Sequence, residues 1–327
     1  MGVFAPETIN RNLNVRVEAG QRVKPYRVVA GGLTFFCGKL PELLGNERWD
    51  IRDRSQRTPA HVAGLLRDLP GCDLAYSWAG RINMGKFLWA ARCLGVKKIV
   101  LFWCGSDVLH AKKLLAQGKL DPWVASRMHW AASPSLADEV RSLGLRCEFV
   151  QASFVELVAA PRALPKKFSV LAFVPRADRG ELYGWDRIVE VAQSLPDMDF
   201  QLVGLHPGQT LQGPPNISFH TFTSDLTPFY EKATVLWRPV RHDAGVSFMV
   251  LEALAHGRHV LYTYPIPGAT QVRGANEAKQ QLEQFRSLHE VGLLPLNHAG
   301  INSIRTTYAK DVVRAELHRR WEEIILS

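Results

Sequence analysis

The chain predicts an α/β protein built as two doubly wound parallel sheets facing a central cleft. Three observations lead there. Its 327 residues are about twice the usual domain of roughly 150. Short apolar runs alternate with helical stretches, as strand–helix–strand crossovers require. The alternation stops once, at a segment bearing Pro161, Pro165, Lys166 and Lys167, and then restarts. With 46% hydrophobic and 22% charged residues, the composition is that of an ordinary globular chain with material for a core in each half.

In the first half, an apolar run from Tyr26 to Ala30 stops at Gly31-Gly32 and gives way to a helical stretch through Leu43-Leu44. Trp49 to Arg52 reads as a strand, His61 to Leu69 as a helix and Asp73 to Trp78 as a strand. A helix from Gly85 to Leu94 leads to the apolar strand Lys98 to Trp103. After a further helix, Met128 to Ala132 reads as a strand. Ser133 and Pro134 have the chemistry of an N-cap and first helical position for Leu136 to Leu143, and Cys147 to Val150 follows as a strand. The segment 154–167 reads as a linker. In the second half, strands are expected at Phe168–Phe173, Phe200–Val203, Ile217–His220, Thr234–Arg238 and His259–Tyr264. Helices are expected at Tyr183–Leu195, Leu226–Lys232 and Phe248–His256, with a last one at Lys310–Ile325. The two halves so defined are 1–158 and 159–309.

Composition narrows the function classes. No apolar run approaches the roughly 18 residues of a spanning helix, and the polar start has no apolar signal region. Pro6 stands where the myristoylation pattern needs Ser or Thr. Cys37, Cys72, Cys93, Cys104 and Cys147 form no CxxC pair, so neither a zinc site nor a disulfide framework is expected, and a cytoplasmic setting is. The net charge of +9 is unevenly placed. Residues 1–158 hold 22 Lys and Arg against 14 Asp and Glu, whereas 159–327 hold 18 against 17. The basic first half attracts an anionic partner such as a phospholipid surface, a phosphorylated acceptor or nucleic acid, or is simply a solvated face.

Ligands of open parallel sheets bind beyond the carboxyl ends of the strands, and four strand ends carry chemistry. Gly31 and Gly32 let a phosphate approach backbone at a helix start, or form an ordinary tight turn; the GxGxxG dinucleotide fingerprint is absent. Asp107, after the strand ending at Trp103, accepts from sugar hydroxyls or caps the next helix. Arg176 and Arg179 follow the first strand of the second half, either to clamp a diphosphate or as solvated loop charges. The last is the block from Arg241 to Gly257, where Ser247 caps a helix that Gly257 closes. Between Phe248 and Ala255 the only charge is Glu252. A carboxylate on so apolar a helix needs donors: a ribose diol, a nearby arginine, or water.

That block resembles the retaining GT-B glycosyltransferases of the large family 4, whose second domain carries a Glu-x7-Glu signature on this loop and helix. The likeness extends to Tyr183-Gly184, Leu195 to Gly204, Ile217 to His220 and Gly105 to Val108. It implies two Rossmann-like domains, with the final helix from Lys310 packing back on the first. It also implies that Glu252 holds the ribose hydroxyls, and that the amides of Ser247, Phe248 and Met249 face the donor. Arg179, or else Arg176, neutralises the leaving diphosphate, Gly31 and Gly32 lie opposite, and Thr223 sits near the base. Three departures stand out. Ala244 replaces the first glutamate, leaving Asp243 or His242 to substitute; the family lysine that often partners the arginine is replaced near Tyr183-Gly184; and Phe102-Trp103 replace a family histidine, leaving Asp107 as the nearby polar group.

The implied activity is metal-independent, retaining transfer from a nucleotide sugar with no resident cofactor. Uridine diphosphate is the expected carrier on family frequency, with guanosine diphosphate open and the acceptor undefined. Asp197-Met198-Asp199 imitates a metal-binding DxD but lies between a helix end and a strand start, where a turn is expected. The rivals are a catalytically silent subunit or adaptor of the same fold, a nucleotide-sugar epimerase, and a nucleic-acid binder. For the last, no recognition-helix, RNP-like or zinc pattern is present.

Overall fold

The computed structural model describes residues 24–327 apart from Arg57 and Ala244. The N-terminal segment with Pro6, and the signature position Ala244, therefore lie outside the described residues.

The first sheet is formed by β1 (Tyr26–Gly32), β2 (Trp49–Asp53), β3 (Leu74–Trp78), β4 (Ile99–Trp103), β5 (Met128–Ala131) and β6 (Cys147–Phe149). Its helices are α1 (Thr34–Leu44), α2 (Pro59–Asp68), α3 (Lys86–Cys93), α4 (Asp107–Ala116), α5 (Pro122–Ala125) and α6 (Pro134–Arg141). The strands run in the order β2-β1-β3-β4-β5-β6, all parallel. Central strands β3 and β4 are buried at every position, which is why they read as unbroken apolar runs rather than as an alternation.

The second sheet repeats the plan. Its strands are β7 (Ser169–Phe173), β8 (Asp199–Leu205), β9 (Ile217–Thr221), β10 (Val235–Arg238), β11 (His259–Tyr262) and β12 (Thr270–Gln271). Around them lie α7 (Trp185–Ser194), α8 (Thr227–Lys232), α9 (Phe248–Ala255), α10 (Ala275–Glu290) and α11 (His298–Ser303). The order is β12-β11-β10-β7-β8-β9, again parallel.

Two expectations about local structure need correcting. Gly31 and Gly32 do not stop β1 but form its last two residues, paired with Ser77 and Trp78 of β3. Helix α10 was not read from the sequence because only Ala278 and Leu282 of its 16 residues are buried. The DxD-like Asp197 lies in the turn before β8, as expected.

The last helix, α12 (Lys310–Leu326), returns to the first sheet. Its Val313, Leu317, Trp321 and Ile324 belong to that sheet's core, and Trp321 meets Trp49 edge to face at 5.2 Å. The side chain of Trp49 donates to Nδ1 of His318 at 3.2 Å. Helix α12 thus ties residues as far apart as Val28 and Ile324 into one core.

The order of each sheet reverses once, between β1 and β3 in the first and between β7 and β10 in the second. At such a switch point the two crossovers leave in opposite directions and open a crevice above the carboxyl ends of the strands. Two candidate ligand positions follow from topology alone.

Candidate active site

At the first switch point the crevice is an open cavity of about 880 Å3. Its wall includes Gly32 at the end of β1, Arg54 and Ser55 beyond β2, Ser77 near the end of β3 with Gly80 beyond it, and Asp107 beyond β4. Gly32 has φ +112°, and a Cβ there would stand 2.3 Å from the Trp78 carbonyl oxygen, so the close pairing of β1 with β3 requires glycine. The Asp107 carboxylate is spent on the frame. Its Oδ2 accepts from the amides of Gly80 at 2.8 Å and Cys104 at 3.1 Å, and its Oδ1 from Val108 at 3.1 Å. Burial raises its pKa against these same amide bonds. Asp107 therefore stitches the β3 and β4 loops together, a tie between loops that neither helix capping nor sugar binding foretold.

At the second switch point the loops after β7 and β10 close on one another. Gly184 has φ +73°, and a Cβ would lie 2.1 Å from the Pro239 carbonyl oxygen. The Arg241 amide donates to Leu182 at 2.8 Å, and its guanidinium pairs with Asp186 at 2.6 Å. Within this frame Arg176 is exposed and held by both oxygens of Asp178 at 2.9 and 2.7 Å. It is thus already neutralised. Arg179 is half-buried at the end of a single 3-10 turn, and its guanidinium makes no hydrogen bond or ion pair among the described residues.

The block from Arg241 to Gly257 forms the loop and helix expected of it, with corrections at four side chains. Ser247 occupies the N-cap of α9, but its hydroxyl makes no capping bond, so the first amides of the helix stay uncapped by a side chain. Asp243 is no spare acid: its Oδ2 accepts from Arg238 at 3.2 Å and from the Tyr262 hydroxyl at 3.1 Å. His242 turns to the other half, its Nε2 lying 3.2 Å from both oxygens of Glu139 on α6. Phe248 also crosses over, with ring centroids 5.8 Å from Phe36, 6.4 Å from Phe35 and 6.5 Å from Phe154. Met249 is buried, and Gly257, φ +69°, ends the helix.

Glu252 is half-buried and has a protein partner that the sequence did not reveal. The Tyr230 hydroxyl of α8 donates to its Oε2 at 2.6 Å. Its Oε1 has no hydrogen bond among the described residues. Burial raises the pKa of this carboxylate, while Tyr230 and Lys39 pull it down. Lys39 belongs to α1, so Glu252 feels a charge from the opposite half and stands where the two halves meet. Thr223 sits in the loop after β9, its hydroxyl folded into a local turn with Asp225 at 3.2 Å.

The sequence marks Arg238 only as a strand end. It is 7% exposed, its charge lies 5.4 Å over the rings of both Phe173 and Tyr183, and its Nε and Nη1 have no hydrogen-bond partner among the described residues. Burial opposes the charge, but Asp243 and the tyrosines Tyr262 and Tyr183 more than offset it and hold the pKa above its ordinary value. A buried arginine beside an aspartate five residues on was the available signal.

Two doubly wound parallel sheets, each with a crevice at its switch point and with α12 crossing back, make this a GT-B fold. Solved structures agree. The chain is similar to Anabaena HepE in complex with UDP-glucose, at a TM-score of 0.68 and 12% identity over 91% of this chain and 99% of that one. A glycosyltransferase from Rickettsia africae ESF-5 gives 0.62 and 11% over 93% and 99%. The pneumococcal O-GlcNAc transferase GtfA, in complex with UDP and GlcNAc, gives 0.60 and 10% over 82% and 60%. This chain spans 60% of that GtfA chain and 58% of the TarM chain. No family model matches the sequence, and no curated protein does.

All five cysteines are free. Among the described residues no helix is long and apolar enough to cross a membrane, and no three His, Cys, Asp or Glu side chains cluster as a metal site.

Proposed function

We propose that the chain is a family 4-like glycosyltransferase that moves a sugar from a uridine diphosphate donor to an acceptor, with retention and without a metal. Residues 159–309 take the donor, and residues 1–158 with the helix 310–327 take the acceptor. The observation that carries this reading is Glu252, a half-buried carboxylate with one oxygen tied to Tyr230 and the other unpaired, beside the second switch point. A ribose diol offers the donors that the unpaired oxygen lacks. Arg179 and the uncapped amides at the start of α9 then face the diphosphate, whose charge grows as the donor bond breaks. In that step the acceptor oxygen bonds to the anomeric carbon as the bond from that carbon to the diphosphate breaks. The acceptor proton leaves with the diphosphate. The UDP complexes of HepE and GtfA support the choice of carrier for a chain of the same fold. A cytoplasmic setting, with the basic first half against an anionic membrane face, is part of the same proposal.

The test is a thermal-shift panel of nucleotide sugars. A donor at a hundred times its Kd stabilises a protein by about 2.7 kcal/mol. Wild type should respond to a UDP-sugar, and Glu252→Ala should bind it roughly tenfold to a hundredfold more weakly, as loss of hydrogen bonds to a charged group implies. No response to any nucleotide sugar would remove the proposal. One observation favours a second reading, a silent GT-B subunit: Ala244 stands at the first signature glutamate, and Asp243 is engaged by Arg238 and Tyr262. Donor binding without hydrolysis or transfer across a broad acceptor panel would support it.

A further inference from the structure

The cavity at the first switch point has a chemistry of its own. At about 880 Å3 it lies near the upper end of the roughly 300–1,000 Å3 typical of small-molecule sites. Asp107, the only acid in its wall among the described residues, has both oxygens occupied by backbone amides. Against it stand Arg54, Arg81, Lys86 and His110. Arg54 is neutralised by Asp68 at 2.9 Å, but Lys86 and His110 are exposed and make no side-chain hydrogen bond or ion pair among the described residues. Uncharged polar side chains in the wall are few, namely Ser55, Gln56 and Ser77, too few to satisfy the hydroxyls of an oligosaccharide.

The rest of the wall is greasy and runs out onto the surface. Val62 of α2 and Trp89 of α3 line the cavity while being 54% and 59% exposed. Leu66, one turn beyond Val62 on the same face of α2, is 57% exposed. An apolar track therefore leads from outside into a chamber of positive charge. Between residues 54 and 92 the sequence holds six Arg and Lys against two Asp.

We infer that this cavity receives an amphiphilic anion: a hydrocarbon chain along Leu66, Val62 and Trp89, with a phosphate-type head group drawn to Lys86, Arg81 and His110. Resting on the transferase reading, this names the class of acceptor. Covering the exposed track removes apolar area from water, at about 25 cal/mol per Å2. The cations supply charge complementarity that a neutral detergent-like molecule cannot use. A membrane lipid and a dispersed lipid-like phosphate share this chemistry.

Decyl phosphate, decyl glucoside and inorganic phosphate, each below any micellar concentration, are the probes, with binding followed by calorimetry on the whole chain. Decyl phosphate should bind at least tenfold more tightly than either of the others. Lys86→Glu and Trp89→Ser, both at exposed positions, should each weaken it about tenfold while leaving UDP-sugar binding unchanged. Equal affinity for the three probes, or variants that bind decyl phosphate like wild type, would overturn the inference. Vesicles of phosphatidylglycerol against phosphatidylcholine separate the sources: retention on the anionic vesicles points to a bilayer lipid, and binding of dispersed decyl phosphate alone to a soluble carrier. A chain that prefers decyl phosphate but binds no nucleotide sugar would refute the transferase reading and leave this cavity's assignment standing. Donor binding without that preference would do the reverse.

Discussion

The two switch points share a topology and differ in what fills them. Above β1 and β3 the crevice is open, and the one carboxylate it shows among the described residues is consumed in holding loops. Above β7 and β10 the loops themselves occupy the crevice, locked by Gly184 against Pro239, Arg241 with Asp186 and Arg238 with Asp243. Among the described residues, what stays without a side-chain partner there includes one oxygen of Glu252, the guanidinium of Arg179, Nε and Nη1 of the buried Arg238 and the amides opening α9. The difference teaches that a repeated crevice can be left open or packed into a rigid frame, and on the proposed function these serve two tasks. An empty volume suits an acceptor of some size, while a rigid frame of donors suits a diphosphate, whose charge has to be met at fixed positions.

The buried ionic groups sharpen that contrast, and the largest expected effect lies in the second half. Arg238 is buried with Asp243 as its carboxylate partner and Tyr262 bridging to the same oxygen. Asp243→Ala leaves a buried cation without its counter-charge, which costs about 3–5 kcal/mol. Chemical denaturation should show that loss, and Arg238→Met in the same chain should recover most of it. Failure of the second change to rescue would mean that the loss does not come from an uncompensated Arg238 charge but from the other bonds of Asp243, such as that from Tyr262.

The first half hides a neutral base instead. His129 is 1% exposed; Trp103 donates to its Nδ1 at 3.1 Å, and its Nε2 meets the Val124 carbonyl at 3.1 Å. Burial pushes its pKa down to about 4. Because the unfolded chain takes up a proton near 6.5 and the folded one does not, stability is full above pH 6.5. It falls as pH drops toward 4, by on the order of 3 kcal/mol. Urea midpoints measured between pH 7 and 4 should follow that slope in wild type and lose it in His129→Gln. Arg238 stays charged throughout this range, so the contrast between halves is itself the readout.

How much of this was legible in the sequence follows from the kind of signal each feature carries. Strands such as Ile99–Trp103 announce themselves because both faces are buried, and the caps at Ser133 and Gly257 because single residues dictate local geometry. Glu252 stood out as a lone charge on an apolar helix, but Tyr230 lies 22 residues away on another helix, and no local pattern joins them. Asp243 looked like a spare acid until Arg238 and Tyr262 were seen around it. The cavity was invisible for a different reason: Val62, Leu66 and Trp89 sit at helical spacings that read as ordinary core, and only the tertiary arrangement leaves them uncovered.

The smallest effect concerns the loop after β10 that meets the first half. His242, Gly245 and Phe248 belong to the loop and helix that follow β10, yet each meets the first half. His242 contacts Glu139, Gly245 packs so that a Cβ would lie 2.5 Å from the Ser133 hydroxyl, and Phe248 packs on Phe36. Glu139 is also paired with Lys112 at 2.7 Å. The hydrogen bond from His242, with that from Lys112, outweighs burial and draws its pKa down to about 2. A carboxylate held down in this way adds stability above its unfolded pKa, near 4.5, and loses it as pH falls toward 2. Its side chain is 26% exposed, so solvent screening limits the contribution to about 1 kcal/mol. Glu139→Gln should therefore lower stability by that amount at pH 7 and converge on wild type as the pH approaches 2. A constant difference across the whole range would mean that packing of Phe248 and Gly245, not charge, holds the halves together.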